Sequence, residues 1–324
     1  MYFEKGEPPL KNSIHVFDGH CDTVLRCYEQ GGGMRESGGH LDLTRAGRFG
    51  GWAQFFAIFG DEGTAPGKSL WQIFSEEYAL FRRELEQNGD LAALCTTGAE
   101  AEAAWKAGKT AAFLSVEGAG LLECSLERLD EAYAMGVRAV NLTWNHPNAL
   151  SGTNAAERER GLSGLGRAYV RKMQRLGMLV DVSHLSDPGF WDVAETAEKP
   201  FFASHSNARA LCPHPRNLTD EMFTAIIDHG GVAGLNMYAD FLGEHPDVDT
   251  VVAHLEHFLD LGGERSVALG GDWDGCSALP EGIAGIQDLE RLYERLLQRN
   301  YGAALIDAVF YQNLMRVVNE VCTM

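Results

Sequence analysis

Residues 178–205 read MLVDVSHLSDPGFWDVAETAEKPFFASH and contain two short apolar runs, each followed at once by a histidine. The runs are Met178–Ser183 and Phe201–Ser204, and the histidines are His184 and His205. Both runs are nearly continuous in apolar or small residues, which is typical of β-strands whose two faces are buried. Strands of this kind occur in parallel sheets covered by helices, so the segment predicts an α/β protein.

The same pattern recurs along the rest of the chain. Helical patterns lie between most of the apolar runs, among them Ser69–Gln87, Leu165–Leu176 and Thr250–Leu261. Eight strands alternating with helices are the order of a (β/α)8 TIM barrel, which is the fold that we predict. A doubly wound open sheet is the competing architecture, but FDGHCDT after the first run is not a glycine-rich phosphate turn. The six further runs are His15–Gly19, Trp52–Phe59, Ala111–Val116, Arg138–Thr143, Gly231–Asn236 and Ser266–Gly270.

The composition indicates which class of protein this is and which partners are excluded. The 324 residues are 45% hydrophobic and 23% charged, as in an ordinary globular protein, and they fit one barrel. No low-complexity tract or linker divides the chain, so we expect a single domain over residues 1–324. The formal net charge of −19 argues against nucleic acid as a partner, because phosphate binding needs a basic surface.

Cysteine usage and hydropathy indicate a cytoplasmic protein. The seven cysteines are odd in number and scattered, which favours free thiols in a reducing compartment over a disulfide framework. The first residues, MYFEKGEPPL, lack the apolar stretch of a signal peptide. No run approaches 18 apolar residues, so we expect no membrane span.

Chemistry-bearing residues follow the apolar runs, at the strand ends where barrels carry their active sites. His20 and Asp22 are two apart after the first run, so in an extended chain their side chains point the same way. Glu117, His184 and His205 follow three other runs. Each residue singly has an ordinary structural explanation, but three histidines and two carboxylates together form a set suited to zinc.

Three further residues near strand ends have open interpretations. Asp272 could accept a proton from a metal-bound water or cap a loop, and Asp274 is the better capping candidate because Gly275 follows it. His146 could polarise a substrate or lie in a surface turn. Arg216 could bind a substrate carboxylate, although a generic surface arginine is the simpler reading.

Seven segments, in order across nearly the whole chain, resemble the membrane (renal) dipeptidase family, zinc dipeptidases related to the amidohydrolase barrels. The matching segments are Asp18–Asp22 (DGHCD), Gly50–Phe56 (GGWAQFF), Ser115–Gly118 (SVEG), Val137–His146 (VRAVNLTWNH), Gly161–Asp187, Ala203–Asn217 and Val267–Gly275 (VALGGDWDG). The resemblance implies a (β/α)8 barrel of the metal-dependent hydrolase type. Cys21 departs from the DGHND that the family usually shows, but its side chain should point away from the neighbouring ligands.

The resemblance implies a role for each residue. His20 and Asp22 would bind one zinc, His184 and His205 a second, and Glu117 both, although other divalent metals could serve. A hydroxide bridging the two metals would attack the peptide bond of a dipeptide. The residues that bind no metal would be Asp272 as catalytic acid and base, His146 as the group steadying the tetrahedral intermediate, and Arg216 as the clamp for the free C-terminal carboxylate.

Several properties follow only as family expectations or stay open. The family implies small dipeptide substrates, with L-Xaa-D-Xaa among the candidates, and a homodimer. A barrel lactonase, lactamase or other metallohydrolase is the alternative enzyme, and a non-catalytic binding barrel is the alternative outside enzymes. We expect the loops Gly31–Gly39, Gly60–Gly67 and Leu150–Gly161 to shape the pocket. We expect His254 and His257, on an outer helix, to pack against neighbouring elements or to support the metal ligands from behind.

Overall fold

The computed structural model describes residues 14–61 and 63–323, and its β-strands are all parallel. The strands are β1 His15–Cys21, β2 Gly51–Phe59, β3 Ala92–Leu94, β4 Thr110–Glu117, β5 Val137–Asn141, β6 Leu179–Asp181, β7 Phe202–Ala203, β8 Val232–Leu235 and β9 Val267–Leu269. The order β1-β2-β4-β5-β6-β7-β8-β9 closes on itself through β1 and β9, which makes an eight-stranded barrel. The predicted (β/α)8 fold is therefore confirmed.

The short strand β3 was not predicted from the sequence. It pairs with residues 110–112 of β4, on the side where β5 pairs farther along with residues 114–117. β2 covers the opposite side of β4 over nearly its whole length. β3 therefore extends the sheet at the start of β4 and lies outside the closed ring.

Helices follow the barrel strands and cover the outside of the barrel. The α-helices are α1 Thr23–Gln30, α2 Leu43–Ala46, α3 Leu70–Gln87, α4 Gly98–Lys106, α5 Leu126–Ala134, α6 Gly164–Leu176, α7 Asp187–Thr196, α8 Asp220–Asp228, α9 Val248–Asp260, α10 Leu289–Gln298, α11 Ala303–Asp307 and α12 Asn313–Val321. Local signals set their ends. Ser69 and Gln72 form a capping box before α3, and Gly177 ends α6 with a φ of 80°. A π-helical turn, Ala308–Gln312, joins α11 to α12.

The barrel interior is filled with side chains, so it is a packed core and not a channel. Phe17, Phe55 and Phe113 are buried and in mutual contact, and the buried Phe202 packs on Phe55, with ring centroids 5.1–5.9 Å apart. Closer to the ends of the strands, a Cβ at Gly270 would overlap the carbonyl oxygen of Ser204. The interior is therefore closely packed up to the strand ends, and barrels of this type carry their functional side chains beyond it, at the C-terminal mouth.

The described residues bear on two sequence expectations, one about the cysteines and one about membrane spans. The seven cysteines are all unpaired thiols, as predicted. None of the helices that the structure describes is both long and apolar enough to cross a membrane.

Candidate active site

The barrel brings six of the predicted residues together at the carboxyl ends of its strands. Each lies in the last position of a strand or within three residues of it, and each is at most 8% exposed. The six residues are His20 near the end of β1, Asp22 directly after it, Glu117 at the end of β4, His184 after β6, His205 after β7 and Asp272 after β9. They were scattered over 253 positions of sequence, so their convergence follows from barrel closure.

Glu117 lies between the histidines. Its Oε2 is 3.6 Å from Nε2 of His20, while its Oε1 is 2.9 Å from Nε2 of His184 and 3.5 Å from Nε2 of His205. The two carboxylate oxygens thus face different ligand groups. This is the arrangement that a carboxylate shared between two cations requires.

The atoms that face one another here fit a divalent metal. Both ring nitrogens of His20 and Oδ1 of Asp22 are buried without a hydrogen-bond partner among the described residues, which is costly unless a ligand satisfies them. Ligand atoms of His20, Glu117 and His205 lie within 4.8 Å of one another, and so do those of His20, Asp22 and Asp272. Imidazole nitrogens with carboxylate oxygens form a donor set that suits zinc.

Hydrogen-bond partners fix the orientation of two of the histidines. Nδ1 of His184 lies 3.0 Å from Oδ1 of Asn145, and Nδ1 of His205 lies 2.6 Å from Oγ of Ser204. Both contacts direct Nε2 of the ring toward Glu117, which is the role of outer-shell partners in metal sites. Sequence reasoning did not single out Asn145 or Ser204, because such partners are defined by contacts between distant parts of the chain.

Burial favours the neutral form of His184 and His205. Desolvation holds the pKa of His184 and of His205 well below the usual range, and the nearby Arg216 charge acts in the same direction. Neutral imidazoles are the form that binds a metal. Burial lowers the pKa of His20 as well, but the carboxylates of Glu117 and Asp22 outweigh it, so the pKa is raised well above the usual value.

Two carboxyl groups of the cluster, those of Glu117 and Asp272, have a raised pKa. Burial raises the pKa of Glu117 to about 7, although the His20 charge opposes this. Burial also raises the pKa of Asp272, whose Oδ2 accepts a hydrogen bond of 3.0 Å from Nδ2 of Asn236. Carboxyls whose pKa is raised in this way are found at sites of proton transfer and metal binding.

The backbone is strained at two of these residues, just after the strands end. His184 has a φ of 71° and Asp272 a φ of 56°, a region that residues other than glycine seldom occupy. Asp274, with a φ of 67°, accepts hydrogen bonds from Oγ1 of Thr23 and the backbone N–H of His40. Asp274 therefore holds loops in place, in line with its prediction as the capping residue.

Asp18 has a structural position that sequence reasoning did not identify. Its Oδ1 accepts from the backbone N–H of His20 and from Gln54, and its Oδ2 accepts from the backbone N–H of Gly271 and from the indole N–H of Trp273. Four donors satisfy this buried carboxylate. It ties the end of β1, which carries His20, to the segment after β9 that carries Asp272.

Arg216 and His146 occupy different surroundings. The buried Arg216 guanidinium donates to Oγ of Ser206 at 3.2 Å and to the backbone carbonyl of His205 at 3.3 Å, and its Nε has no hydrogen-bond partner among the described residues. It therefore adjoins the histidine cluster directly. The His146 side chain is 72% exposed on the loop after β5, with its ring 5.5 Å from that of Trp144.

His146 and Glu117 both line a cavity of about 440 Å³ at the barrel mouth. Of the three loops expected to shape the pocket, Gly60–Gly67 contributes Gly60, Asp61 and Gly63 to its wall. The described lining residues include none from the other two loops. The cavity is large enough for a small ligand next to the candidate metal-binding residues.

The histidine pair on α9 lies away from the cluster. His254 accepts from the backbone N–H of Ala208 at 3.1 Å, and its Nε2 lies 3.0 Å from the carbonyl oxygen of Leu242. His257 pairs with Asp220 at 2.8 Å. These contacts hold α9 against loops and α8, as expected for packing residues.

Comparisons with known proteins identify the family of the chain. A protein from Klebsiella pneumoniae described as an uncharacterized protein in the pqqA 5' region is 34% identical over 270 residues, covering 80% of this chain and 99% of its own. A metallo peptidase from Rhodobacter sphaeroides, solved with a phosphinate mimic of the dipeptide L-Ala-D-Ala, superposes with a TM-score of 0.85 at 28% identity, covering 95% of this chain and 99% of its own.

A second solved structure, dipeptidase AC, a metallo peptidase of family M19, gives a TM-score of 0.86 at 28% identity over 96% of this chain and 99% of its own. The family model described as membrane dipeptidase (peptidase family M19) matches residues 6–324. The chain therefore belongs to the membrane dipeptidase family, peptidase family M19, and is a dipeptide-hydrolysing metalloenzyme.

Proposed function

We propose that the chain is a single-domain, zinc-dependent dipeptidase that cleaves dipeptides with a free C-terminal carboxylate at a two-metal centre. The observation that carries the proposal is the position of Glu117, whose Oε2 faces His20 and whose Oε1 faces His184 and His205. A cytoplasmic location and a homodimer remain predictions that accompany this proposal.

The proposed assignment of the metal ligands follows the family resemblance. His20 and Asp22 would hold one zinc, His184 and His205 the second, and Glu117 both. When bound, such metals polarise a carbonyl oxygen and lower the pKa of water, so that a nucleophile forms near neutral pH. Asn145 and Ser204 keep the ligand rings in the required orientation.

Asp272 is the proposed acid and base. One of its oxygens, Oδ2, accepts from Asn236, which leaves Oδ1 to receive the proton of the attacking water and return it to the leaving amine. Its raised pKa, caused mainly by burial, favours a carboxyl that can carry a proton. The strained backbone at Asp272 fixes where this carboxyl lies.

Arg216 and His146 would act on the substrate. A guanidinium offers paired N–H donors that match a carboxylate, and Arg216 has an unpartnered Nε beside the His205 ligand segment. Fixing the terminal carboxylate here restricts substrates to short peptides with a free C-terminus. His146, exposed at the cavity wall, would donate to the oxygen on which negative charge develops.

The test is a kinetic screen of L-Xaa-L-Xaa and L-Xaa-D-Xaa dipeptides with zinc supplied, run beside lactones, lactams and C-terminally amidated dipeptides. The Rhodobacter sphaeroides relative was solved with a mimic of L-Ala-D-Ala, which makes L-Ala-D-Ala the first member of the panel. We expect cleavage of free dipeptides. Turnover confined to lactones or lactams would overturn the proposal in favour of another barrel hydrolase, and the absence of any turnover would favour a binding protein.

A further inference from the structure

The cavity beside Glu117 has mostly apolar walls and a second carboxylate, Asp61, among its lining residues. Phe59, Leu70, Leu121 and Trp144 supply apolar surface, and Phe59 packs on Trp144 with ring centroids 4.6 Å apart. Among the described residues of the wall, Asp61 and Glu117 are the acidic ones. Because Glu117 lies among the metal-binding histidines, Asp61 is the carboxylate left to meet a ligand in this cavity.

One oxygen of the Asp61 carboxylate accepts hydrogen bonds from its own loop. Its Oδ1 accepts from the backbone N–H of Gly63 at 2.8 Å and of Thr64 at 3.0 Å, and from Oγ1 of Thr64 at 3.3 Å. The other oxygen, Oδ2, lies 3.9 Å from Nε2 of His146. Because all three donors bind Oδ1, Oδ2 is the oxygen that faces His146 at the cavity wall.

From this geometry, and resting on the proposed dipeptidase function, we infer that Asp61 binds the free α-ammonium group of the substrate's N-terminal residue. The side chain of that residue lies against the apolar wall formed by Phe59, Leu70, Leu121 and Trp144. The preferred substrates are then dipeptides with an unblocked amino terminus and an apolar first side chain.

The charges of a dipeptide make this assignment specific. A zwitterionic dipeptide presents a cation at one end and an anion at the other, with the scissile bond between them. Arg216 adjoins the metal residues through His205, whereas the cavity reaches them through Glu117. Arg216 would bind the carboxylate and Asp61 the ammonium group, each next to a different residue of the metal cluster. Two such anchors would select both the length and the direction of the bound peptide.

The experiment compares L-Ala-L-Ala with propanoyl-L-alanine, which lacks only the amino group, as substrates of the zinc-loaded protein. The variants are Asp61→Asn, which removes the charge, and Asp61→Glu, which keeps it. Asp90→Asn is the matched control, because Asp90 is an exposed carboxylate paired with Arg35 on the surface. Melting temperature and zinc content confirm that each variant is folded and loaded.

We expect Asp61→Asn to lower kcat/KM for L-Ala-L-Ala by about 10- to 100-fold, the value of a hydrogen bond to a charged group. Propanoyl-L-alanine should be unaffected, whether it is followed as a substrate or, if turnover is too slow, as a competitive inhibitor. Asp61→Glu should retain part of the preference for the free amine, and Asp90→Asn all of it.

Two results would overturn the inference while leaving the proposed function intact. If Asp61→Asn cleaves L-Ala-L-Ala as well as the wild type does, Asp61 binds no part of the substrate. If it weakens both compounds equally, Asp61 positions His146 instead. Failure of the wild-type protein to cleave any dipeptide would be a different outcome, because it would overturn the proposed function and the inference together.

Discussion

The Nε2 atoms of His184 and His205 lie 3.2 Å apart, although the two residues are 21 positions apart in sequence and follow different strands. Both atoms also face Oε1 of Glu117. Burial keeps both rings neutral, so each nitrogen can offer a lone pair to the same cation. In the proposed two-metal centre, this pair would hold the second zinc.

Asn145→Ala should weaken metal binding without removing a ligand. The substitution deletes the contact that fixes Nδ1 of His184, and loss of such partners lowers metal affinity or activity by about 10- to 100-fold. Zinc dissociation constants measured by competition with a chelating dye check this. Asn319→Ala, on the exposed face of α12, is the control, and equal affinities for the two variants would show that Asn145 does not orient the ligand.

Asp272→Asn should lower kcat while leaving the dipeptide KM within a few-fold of the wild type. A positioned acid and base contributes about 10²- to 10⁴-fold to the rate, and asparagine keeps the shape and the contact with Asn236 but cannot carry the proton. Steady-state kinetics at matched zinc content measure the effect. A variant with wild-type kcat would remove Asp272 from the proton path.

Arg216→Ala should impair substrates with a free carboxylate and spare their C-terminal amides. The loss expected for free L-Ala-L-Ala is about 10- to 100-fold in kcat/KM, the value of a charge-assisted hydrogen bond. Arg216→Lys keeps the charge but not the paired donors, so its kcat/KM for free L-Ala-L-Ala should lie between those of the wild type and Arg216→Ala. If the ratio of free to amidated substrate does not change in Arg216→Ala, the carboxylate is bound elsewhere.

Glu77→Gln should stabilise the protein relative to the wild type as the pH rises. Glu77 on α3 is buried, and burial raises the pKa of its carboxyl to about 9, so the native state holds a proton between pH 5 and 9 that the unfolded chain has lost. The wild type therefore loses stability as the pH rises through this range, by at most about 1.4 kcal/mol per pH unit.

Urea unfolding at pH 5, 7 and 9, at constant metal content, measures this difference. Glutamine retains an acceptor for the backbone N–H of Phe59 without carrying a charge. The free energy of unfolding of the variant should therefore rise relative to that of the wild type from pH 5 to 7 and again from pH 7 to 9. Glu86→Gln, on the exposed face of the same helix, controls for removal of a charge. A constant difference between Glu77→Gln and the wild type would mean that Glu77 is ionised in the native state.

The strand ends could be predicted because parallel strands in a closed barrel place their carboxyl ends at one mouth. His20, Glu117, His184 and His205 follow directly from that rule once the apolar runs are recognised as strands. Their convergence needed no knowledge of side-chain contacts. The prediction extends to the position of each residue, while the role of each one is a proposal.

The features that were not predicted depend on contacts between distant segments. β3 has only three residues, Ala92–Leu94, too few to show a pattern, and it exists because β4 offers free backbone groups beside it. Asn145 lies in a loop and contacts His184 from 39 positions away. The four hydrogen bonds of Asp18 include two from a segment more than 250 residues away, at Gly271 and Trp273.

The most direct test of the two-metal dipeptidase is a zinc titration of the chelator-treated protein, with bound metal measured by elemental analysis and dipeptide hydrolysis followed in the same samples. We predict an inactive metal-free protein, activity that rises to its maximum at about two zinc ions per chain, as the five ligands imply, and reduced metal content in Glu117→Ala. Full dipeptide hydrolysis by the metal-free protein would contradict the account.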